Sequence, residues 1–531
     1  MKDRSPLLAA LAGLVLLSAA ALAGPLDQRI ASIISRTDLG TATVSVHAVD
    51  LETGTEVAAF RPDTPSIPAS NMKLLTAGAA IAVLGPDFVF RTEIRVDQSV
   101  SPPRLIIVGS GDPALGDPVL LEREEVGLNL ERLLDQIAAS LKAQGVERIS
   151  EIVVDDRVFD RDYIHPSWPA DQLNRWYCAE LGGLNFFRNV VTIFTEPTQD
   201  GGSPLTTLVP EAPWIELANR ARTDRQGTNT AWVSRPNPDD RMTLIGKVRT
   251  RAEIEVAIHD PPLYTGRVIA NELAKRGIAM PDRFAYDHVR LATETESFPN
   301  SRAAVVITTP LADVLRRINT DSHNLYAECV FKRLGNQVTG EPGSWTNGAA
   351  VVRMVMSDAL GASRTESTRI ADGSGMSREN NVHASTLTAW MRWLATDPAK
   401  WAAFADSLAV PGAGTLRSRF GDSQLGSNLA AKSGYLTGVY ALSGVLTDPD
   451  TGRRVGFSIL LNGVPSGAQA QNAKPLHEQI VRELDKWLVP NRSPAVFGVA
   501  SKPTRSRPCD GSHTASRPAS LLATQWNRAA W

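Results

Sequence analysis

The stretch Pro68-Ala69-Ser70-Asn71-Met72-Lys73-Leu74-Leu75 opens an apolar run that leaves the chain few choices. Leu74, Leu75, Ala79, Ile81 and Leu84 form an apolar stripe until Gly85-Pro86 stops it. That pattern predicts a helix buried along one side, with Pro68 just ahead of it and Ser70 in its first turn. Ser70 and Lys73 then share one face at the positive helix end. A serine hydroxyl is a poor nucleophile unless a base takes its proton. A lysine one turn away, desolvated so that its neutral form is accessible, can be that base. A serine three before a lysine turns up on the order of once or twice by chance in a chain this long, so the pair needs partners elsewhere.

Two partners are in the chain. Ser322-His323-Asn324 lies between two helical patterns, Leu311 to Ile318 and Leu325 to Leu334, so a hydroxyl and an amide sit on a loop free to aim them into a cleft. Lys432-Ser433-Gly434 falls in an apolar strand, Leu429 to Leu436, where a buried lysine is costly without a task and a glycine lets a ligand approach the backbone. The eight histidines show no metal-ligand spacing.

The rest of the chain sets bounds. Lys2 and Arg4 precede an apolar run from Leu7 to Leu22, and Ala21-Leu22-Ala23 offers small residues for cleavage before Gly24, so residues 1–23 read as a secretory signal peptide. The rival, an uncleaved anchor, has a run short for a spanning helix. Lys plus Arg number 55 against 57 Asp plus Glu, a balance that argues against nucleic acid as the main partner. Three cysteines are too few for a disulfide framework, though in an exported chain Cys178 and Cys329 could pair; Cys329, on a helical pattern, reads as a small buried hydrophobe.

Hairpin strands are expected at Thr41 to Asp50 and Glu56 to Phe60, and again at Val439 to Leu446 and Arg454 to Leu461 around Asp448-Pro449-Asp450. Between them the texture changes. A helical stripe from Leu130 to Leu141, a strand from Arg148 to Asp155, many prolines, short strands at Val190 to Phe194 and Met242 to Val248, and a helix at Arg267 to Arg276 mark residues 97–299 as inserted. Residues 24–96 and 300–490 would then form one discontinuous domain, closed by a helix through Ile480, Leu484 and Leu488. The tail, 491–531, is rich in Ser, Pro, Ala and Arg with six basic residues against Asp510, and is expected to be disordered; loose attachment to an anionic wall or membrane surface is the sharper alternative.

Ser-x-x-Lys, Ser-x-Asn and Lys-Ser-Gly, in this order, resemble the motif set of penicillin-binding proteins and serine β-lactamases. The 249 residues from Lys73 to Ser322 (322 − 73) are similar to the D-alanyl-D-alanine carboxypeptidase/endopeptidase group of the S13 type, whose catalytic domain carries a large insertion there. Gly111-Asp112-Pro113, Asp372-Gly373-Ser374-Gly375-Met376-Ser377-Arg378 and Leu436-Thr437-Gly438-Val439-Tyr440-Ala441-Leu442-Ser443-Gly444 agree with that family. The resemblance implies an α/β fold, a penicillin-binding-protein/β-lactamase-like transpeptidase domain whose antiparallel sheet is flanked by helices, interrupted by a mixed α/β and β-rich region. It implies a periplasmic or other extracytoplasmic enzyme of the cell-wall space that acts on peptidoglycan stem peptides or cross-links and is acylated by β-lactam antibiotics, with no metal or other cofactor.

The same resemblance implies roles. Ser70 is the expected nucleophile and Lys73 its base; Ser322 relays a proton, Asn324 holds the substrate amide, and Lys432 supplies positive charge. Ser433, Gly434 and Tyr435 line the substrate, with the N–H groups of Ser70 and Tyr435 as oxyanion donors. Asp171, after Trp168-Pro169, is a candidate for a substrate amino group, while Ser374 reads as a turn residue. Two positions depart from the family pattern. His323 replaces a frequent aspartate and should point away from the cleft, and Tyr435 stands where a small hydroxyl residue is usual. The rivals are a β-lactamase, disfavoured by the insertion and by the lack of a Glu-x-x-Leu-Asn deacylation loop, and a catalytically silent wall-binding protein with its cleft blocked by Tyr435.

Overall fold

The computed structural model describes residues 24–123, 126–236, 240–421 and 425–490. The expected signal peptide, the tail and Cys509 lie outside the described residues. Two sheets organise what is described. The first is antiparallel throughout, in the order Asn428–Leu436, Val439–Thr447, Arg454–Asn462, Thr43–Asp50, Glu56–Phe60. Its central strands are buried along nearly their whole length, as strands covered on both faces must be. Strand alternation sorts their side chains. Tyr440, Leu442 and Leu446 face the terminal helices Pro25–Arg36 and Ala468–Leu488, while Ala441 and Val445 face the helix that follows Ser70.

That helix, Met72–Leu84, is buried on every side from Met72 to Ile81, more than the single stripe expected from its sequence. A helix apolar all round belongs inside a protein, and three further helices, Asn324–Thr339, Trp345–Leu360 and Ala384–Ala395, close over it. Ala384–Ala395 escapes a periodicity argument because it too buries more than one face, while Trp345–Leu360 buries a single stripe whose Gly348 and Ala349 are small. At Gly78 the packing leaves no room for a side chain. A Cβ there would lie 2.5 Å from Trp390 Nε1, the indole nitrogen that donates to Leu74 O at 3.0 Å.

The second sheet is mixed and joins three strands from residues 97–299 to the two strands that flank them, in the order Val289–Leu291, Ile152–Asp155, Arg104–Val108, Val89–Asp97, Ser301–Pro310. Helices Leu130–Lys142 and Pro261–Lys275 pack against it, and smaller strands gather between residues 190 and 257. The second helix starts six residues before its expected start. Pro261 and Pro262 look like breakers but occupy its first turn, where no N–H is missed, and Asp260 caps them. The strand expected from Arg148 begins only at Ile152, because Arg148 makes a lone bridge to Ala279.

The way out and the way back are adjacent. Val89 pairs with Pro310 and Asp97 with Ser301, and Leu311 N donates to Phe88 O at 2.8 Å, so some two hundred residues leave and return through one two-stranded neck. The expected boundaries at 97 and 299 fall at the far end of that ribbon. Cys178 and Cys329 are both buried free thiols. Among the described residues no helix is long and apolar enough to cross a membrane.

Replacing the fully buried Trp390 by alanine removes the largest contact beside the central helix. A loss of about 3–5 kcal/mol is expected, read as a lower urea midpoint at unchanged slope.

Candidate active site

Ser70 sits on a short 3-10 turn, Ala69–Asn71, that runs directly into the Met72–Leu84 helix. Ala69 has a left-handed backbone, φ 46°, which a residue with a Cβ adopts only when its surroundings hold it. Gly375 supplies the hold: its loop lies so close that a Cβ there would be 1.8 Å from Ala69 O. From the other side comes Gly434, whose missing Cβ would stand 3.0 Å from Ser70 N. Two glycines thus let two backbones close on the turn that carries Ser70.

Lys73 projects from the first turn of the helix and is completely buried. Its amine lies 3.1 Å from Ser70 Oγ, 2.7 Å from Asn324 Oδ1 and 2.7 Å from the carbonyl oxygen of Ser374. Asn324 donates its Nδ2 to Tyr177 O at 2.7 Å, so its oxygen must be the end turned to Lys73. Two of the three neighbours can only accept. A neutral Lys73 has two N–H bonds, which go to those acceptors, and one lone pair, which is then left for the Ser70 hydroxyl. Burial pushes the amine down to about 7, against the pull of the Glu328 and Asp372 carboxyls.

Glu328 was not legible as a site residue, because an acid inside a helical run looks like ordinary amphipathic patterning. It is completely buried in the Asn324–Thr339 helix. Its carboxyl accepts from Gly373 N at 3.0 Å, Ser374 N at 2.7 Å and Trp345 Nε1 at 2.9 Å. These bonds fix the loop whose Ser374 carbonyl meets Lys73. Asp372 fixes the same loop from within, accepting from Gly375 N, Ser377 N, Asn380 Nδ2 and Trp168 Nε1. Ser374 is a turn residue, as its sequence implies, yet its backbone oxygen is part of the site.

Lys432 is equally buried, and strand alternation places it opposite Ser443 on the face of the Ser70 helix. Its Nζ donates to Ser322 Oγ at 2.8 Å and to Ser433 O at 2.7 Å. Burial and the neighbouring Lys73 hold this amine well below the usual lysine range. Asn71 ties the two halves together. With its amide turned to satisfy both ends, it donates to Lys432 O at 2.9 Å and accepts from Ser443 Oγ at 2.6 Å.

Ser322 has φ 63° on a bend held from several directions. Arg317 anchors it, pairing with Asp321 at 2.6 Å and with the buried Asp117 of the insertion at 3.0 Å. His323 points inward, between Trp176 and Tyr326, and burial with Arg317 close by keeps its ring neutral. The Asn428–Leu436 strand is an edge strand, and Ala431 exchanges both of its hydrogen bonds with Ala409 on the open side. By the two-residue strand repeat, the backbone groups of Ser433 and Tyr435 point the same way. Tyr435 is 51% exposed and leans edge-on against Tyr440. Asp171 lies apart from this cluster, exposed on the turn Ala170–Gln172, with its charge felt by Tyr177 and Cys178.

The chain matches the D-Ala-D-Ala carboxypeptidase 3 (S13) family over residues 26–486. It belongs to that family. A D-alanyl-D-alanine carboxypeptidase from Actinomadura sp. (strain R39) is 29% identical over 463 residues, covering 82% of this chain and 81% of the relative. The crystal structure of penicillin binding protein 4 from Haemophilus influenzae superposes with a TM-score of 0.70 at 22% identity, covering 86% of this chain and 99% of that one. The same protein complexed with a β-lactam gives 0.66 at 21% identity, covering 87% and 99%. As an S13 peptidase the chain is a serine-type D-Ala-D-Ala carboxypeptidase with the α/β fold of penicillin-binding proteins.

In this S13 peptidase a base that works in its neutral form loses activity as pH falls through its own titration. The rate constant kcat/KM for D-Ala release should therefore rise about tenfold per pH unit up to about 7, the value for Lys73, and then level. Burial and the neighbouring Asp372 raise the Glu328 carboxyl itself to about 7, so it carries only part of its charge on that limb, and Glu328→Gln should move the limb only modestly to lower pH. Gly375→Ala has no room beside Ala69 O. A displaced Ser70 turn should lower kcat on the order of 10²-fold.

Proposed function

We propose that Ser70 is the nucleophile, attacking the carbonyl between the two terminal D-alanines of a peptidoglycan stem peptide or the carbonyl of a D-alanyl cross-link. The reading thus includes DD-endopeptidase as well as carboxypeptidase activity. Lys73 takes the Ser70 proton as the Oγ–C bond forms, and the charge that develops on the carbonyl oxygen meets the N–H groups of Ser70 and Tyr435. Ser322, hydrogen-bonded to Lys432, passes a proton to the departing amine, so the C–N bond breaks without expelling an anion. Water then releases the acyl group from Ser70. Asn324 holds the substrate amide, and Lys432 with Ser433 receives the terminal carboxylate beside Gly434. Asp171 stands on the segment that leads to Tyr177, whose carbonyl meets Asn324, and would accept a substrate amino group at the rim. Export to the periplasm or another extracytoplasmic wall space, with loose attachment there through the basic tail, completes the reading.

The observation that carries it is the pattern of acceptors around Lys73. With Asn324 Oδ1 and Ser374 O taking two hydrogens, the lone pair has one partner left, and that partner is Ser70. The Haemophilus influenzae protein complexed with a β-lactam supports binding of the same class of compound here.

Benzylpenicillin added to the purified chain, with intact mass followed over time and residual antibiotic assayed, tests the proposal. A lasting single adduct, absent in Ser70→Ala, is the expected result. Turnover of the antibiotic without a lasting adduct would identify a β-lactamase instead. Neither adduct nor turnover would identify a silent wall-binding protein.

A further inference from the structure

The Ser322 hydroxyl is aimed by contacts beyond its own motif. A serine at φ 63° keeps a left-handed backbone only when its surroundings impose it. Both neighbours of Ser322 are held by one residue. The Asp321 carboxylate accepts from the Arg317 guanidinium at 2.6 Å, and His323 N donates to Arg317 O at 3.0 Å. The direction of the Ser322 side chain therefore follows the placement of Arg317.

Arg317 is in turn fixed from residues 97–299. It is 7% exposed, and its guanidinium meets Asp117 Oδ2 through Nε at 3.1 Å and through a terminal nitrogen at 3.0 Å. Asp117 is itself completely buried. Its Oδ2 also accepts the Tyr326 hydroxyl at 2.5 Å, while Oδ1 accepts from Val119 N at 3.0 Å and so caps the helix Pro118–Leu121. A second cation, Arg188, lies 3.8 Å from Oδ1. A carboxylate tied in so many directions inside the protein is a rigid anchor.

The nucleophile and its neighbouring lysine have other supports. The Ser70 turn is clamped at Gly375 and Gly434, Lys73 bonds to Asn324 and Ser374, and Asn324 has its own tether at Tyr177 O. A disturbance at Asp117 thus reaches Ser322 before it reaches the Ser70–Lys73 pair. We propose that Asp117 is a positioning residue that, through Arg317, aims the Ser322 hydroxyl at the nitrogen of the leaving group. The inference rests on the reading in which Ser322 delivers the leaving-group proton.

The nature of the leaving group separates this role from general damage. When the C–N bond of an amide breaks, the electron pair moves to nitrogen, which must gain a proton to depart as an amine. A thioester sulfur takes the pair of the C–S bond and departs as a thiolate with no proton. A misdirected Ser322 should therefore slow the amide and spare the thioester, whereas a displaced Ser70 slows both.

The test compares kcat/KM of the full-length chain for an acyl-D-Ala-D-Ala peptide and for the same peptide ending in D-alanyl-D-thiolactate. Both carry the same terminal carboxylate, so their ratio cancels effects on its binding. Asp117→Asn is expected to lower the amide value on the order of 10²-fold and to leave the thioester value at that of the parent. Because this variant strips Arg317 of a buried countercharge and threatens the fold, Asp321→Asn is measured beside it. The Asp321 side chain is 35% exposed, and its loss should slow the amide alone, by a smaller factor. Equal losses on both substrates, or no loss on either, would overturn the proposal. Ser322→Ala reports the underlying reading. If it fails to discriminate between the leaving groups, Ser322 is not the proton donor and both ideas fall; if it discriminates and the aspartate variants do not, only the positioning role is lost.

Discussion

Everything near the active site follows from keeping one amine dry. A lysine taken out of water loses its preference for the charged form, and Lys73 projects, completely buried, from a helix that is itself buried all round over its first turns. A fully desolvated charge would be ruinous if the site were only apolar. Two carboxyls nearby, Glu328 and Asp372, temper the effect and hold the Lys73 amine at about 7, where the base proposed above would be both available and strong enough to matter. The same two carboxyls hold the backbone of the loop that receives one of the amine's hydrogens. Electrostatic tuning and mechanical support are supplied by the same groups.

Three separate pieces of chain must converge for this to work, and each is held by a different kind of force. The Ser70 turn is clamped by close backbone approach at Gly375 and Gly434. The Ser322 bend is held by charge, through Arg317 between Asp117 and Asp321. The Lys432 strand is held by sheet register, and Asn71 links it to the Ser70 turn across their shared interface.

The three motifs were legible in the sequence because each places a polar, chemistry-bearing group where apolar patterning would otherwise prevail. The sheet hairpins were legible from alternation, and Asp448-Pro449-Asp450 marked a true turn. What stayed hidden has a common cause. Glu328, the carbonyl of Ser374 and the bond from Asn71 to Lys432 act through contacts between segments far apart in sequence, or through backbone atoms that every residue possesses. The helix Ala384–Ala395 was missed because burial on several faces erases the periodicity that marks a surface helix, and Trp345–Leu360 because small residues, Gly348 and Ala349, interrupt its one apolar stripe. The start of the helix at Pro261 stayed hidden because its first turn is a proline pair, which opens a helix as readily as it ends one.

The neck formed by Val89–Asp97 and Ser301–Pro310 is a topology that would let the insertion be cut out and the ends rejoined. The ion pair between Asp117 and Arg317 overrules it. Asp117 also accepts the Tyr326 hydroxyl at 2.5 Å, so a chain shortened at the neck would strand a buried guanidinium and a buried phenol beside the Ser322 bend. Removing one partner of a buried pair is far more damaging than never having had the pair. The segment between the two neck strands is thus tied to the rest of the chain twice, by connectivity at one ribbon and by a buried ion pair at the Ser322 bend.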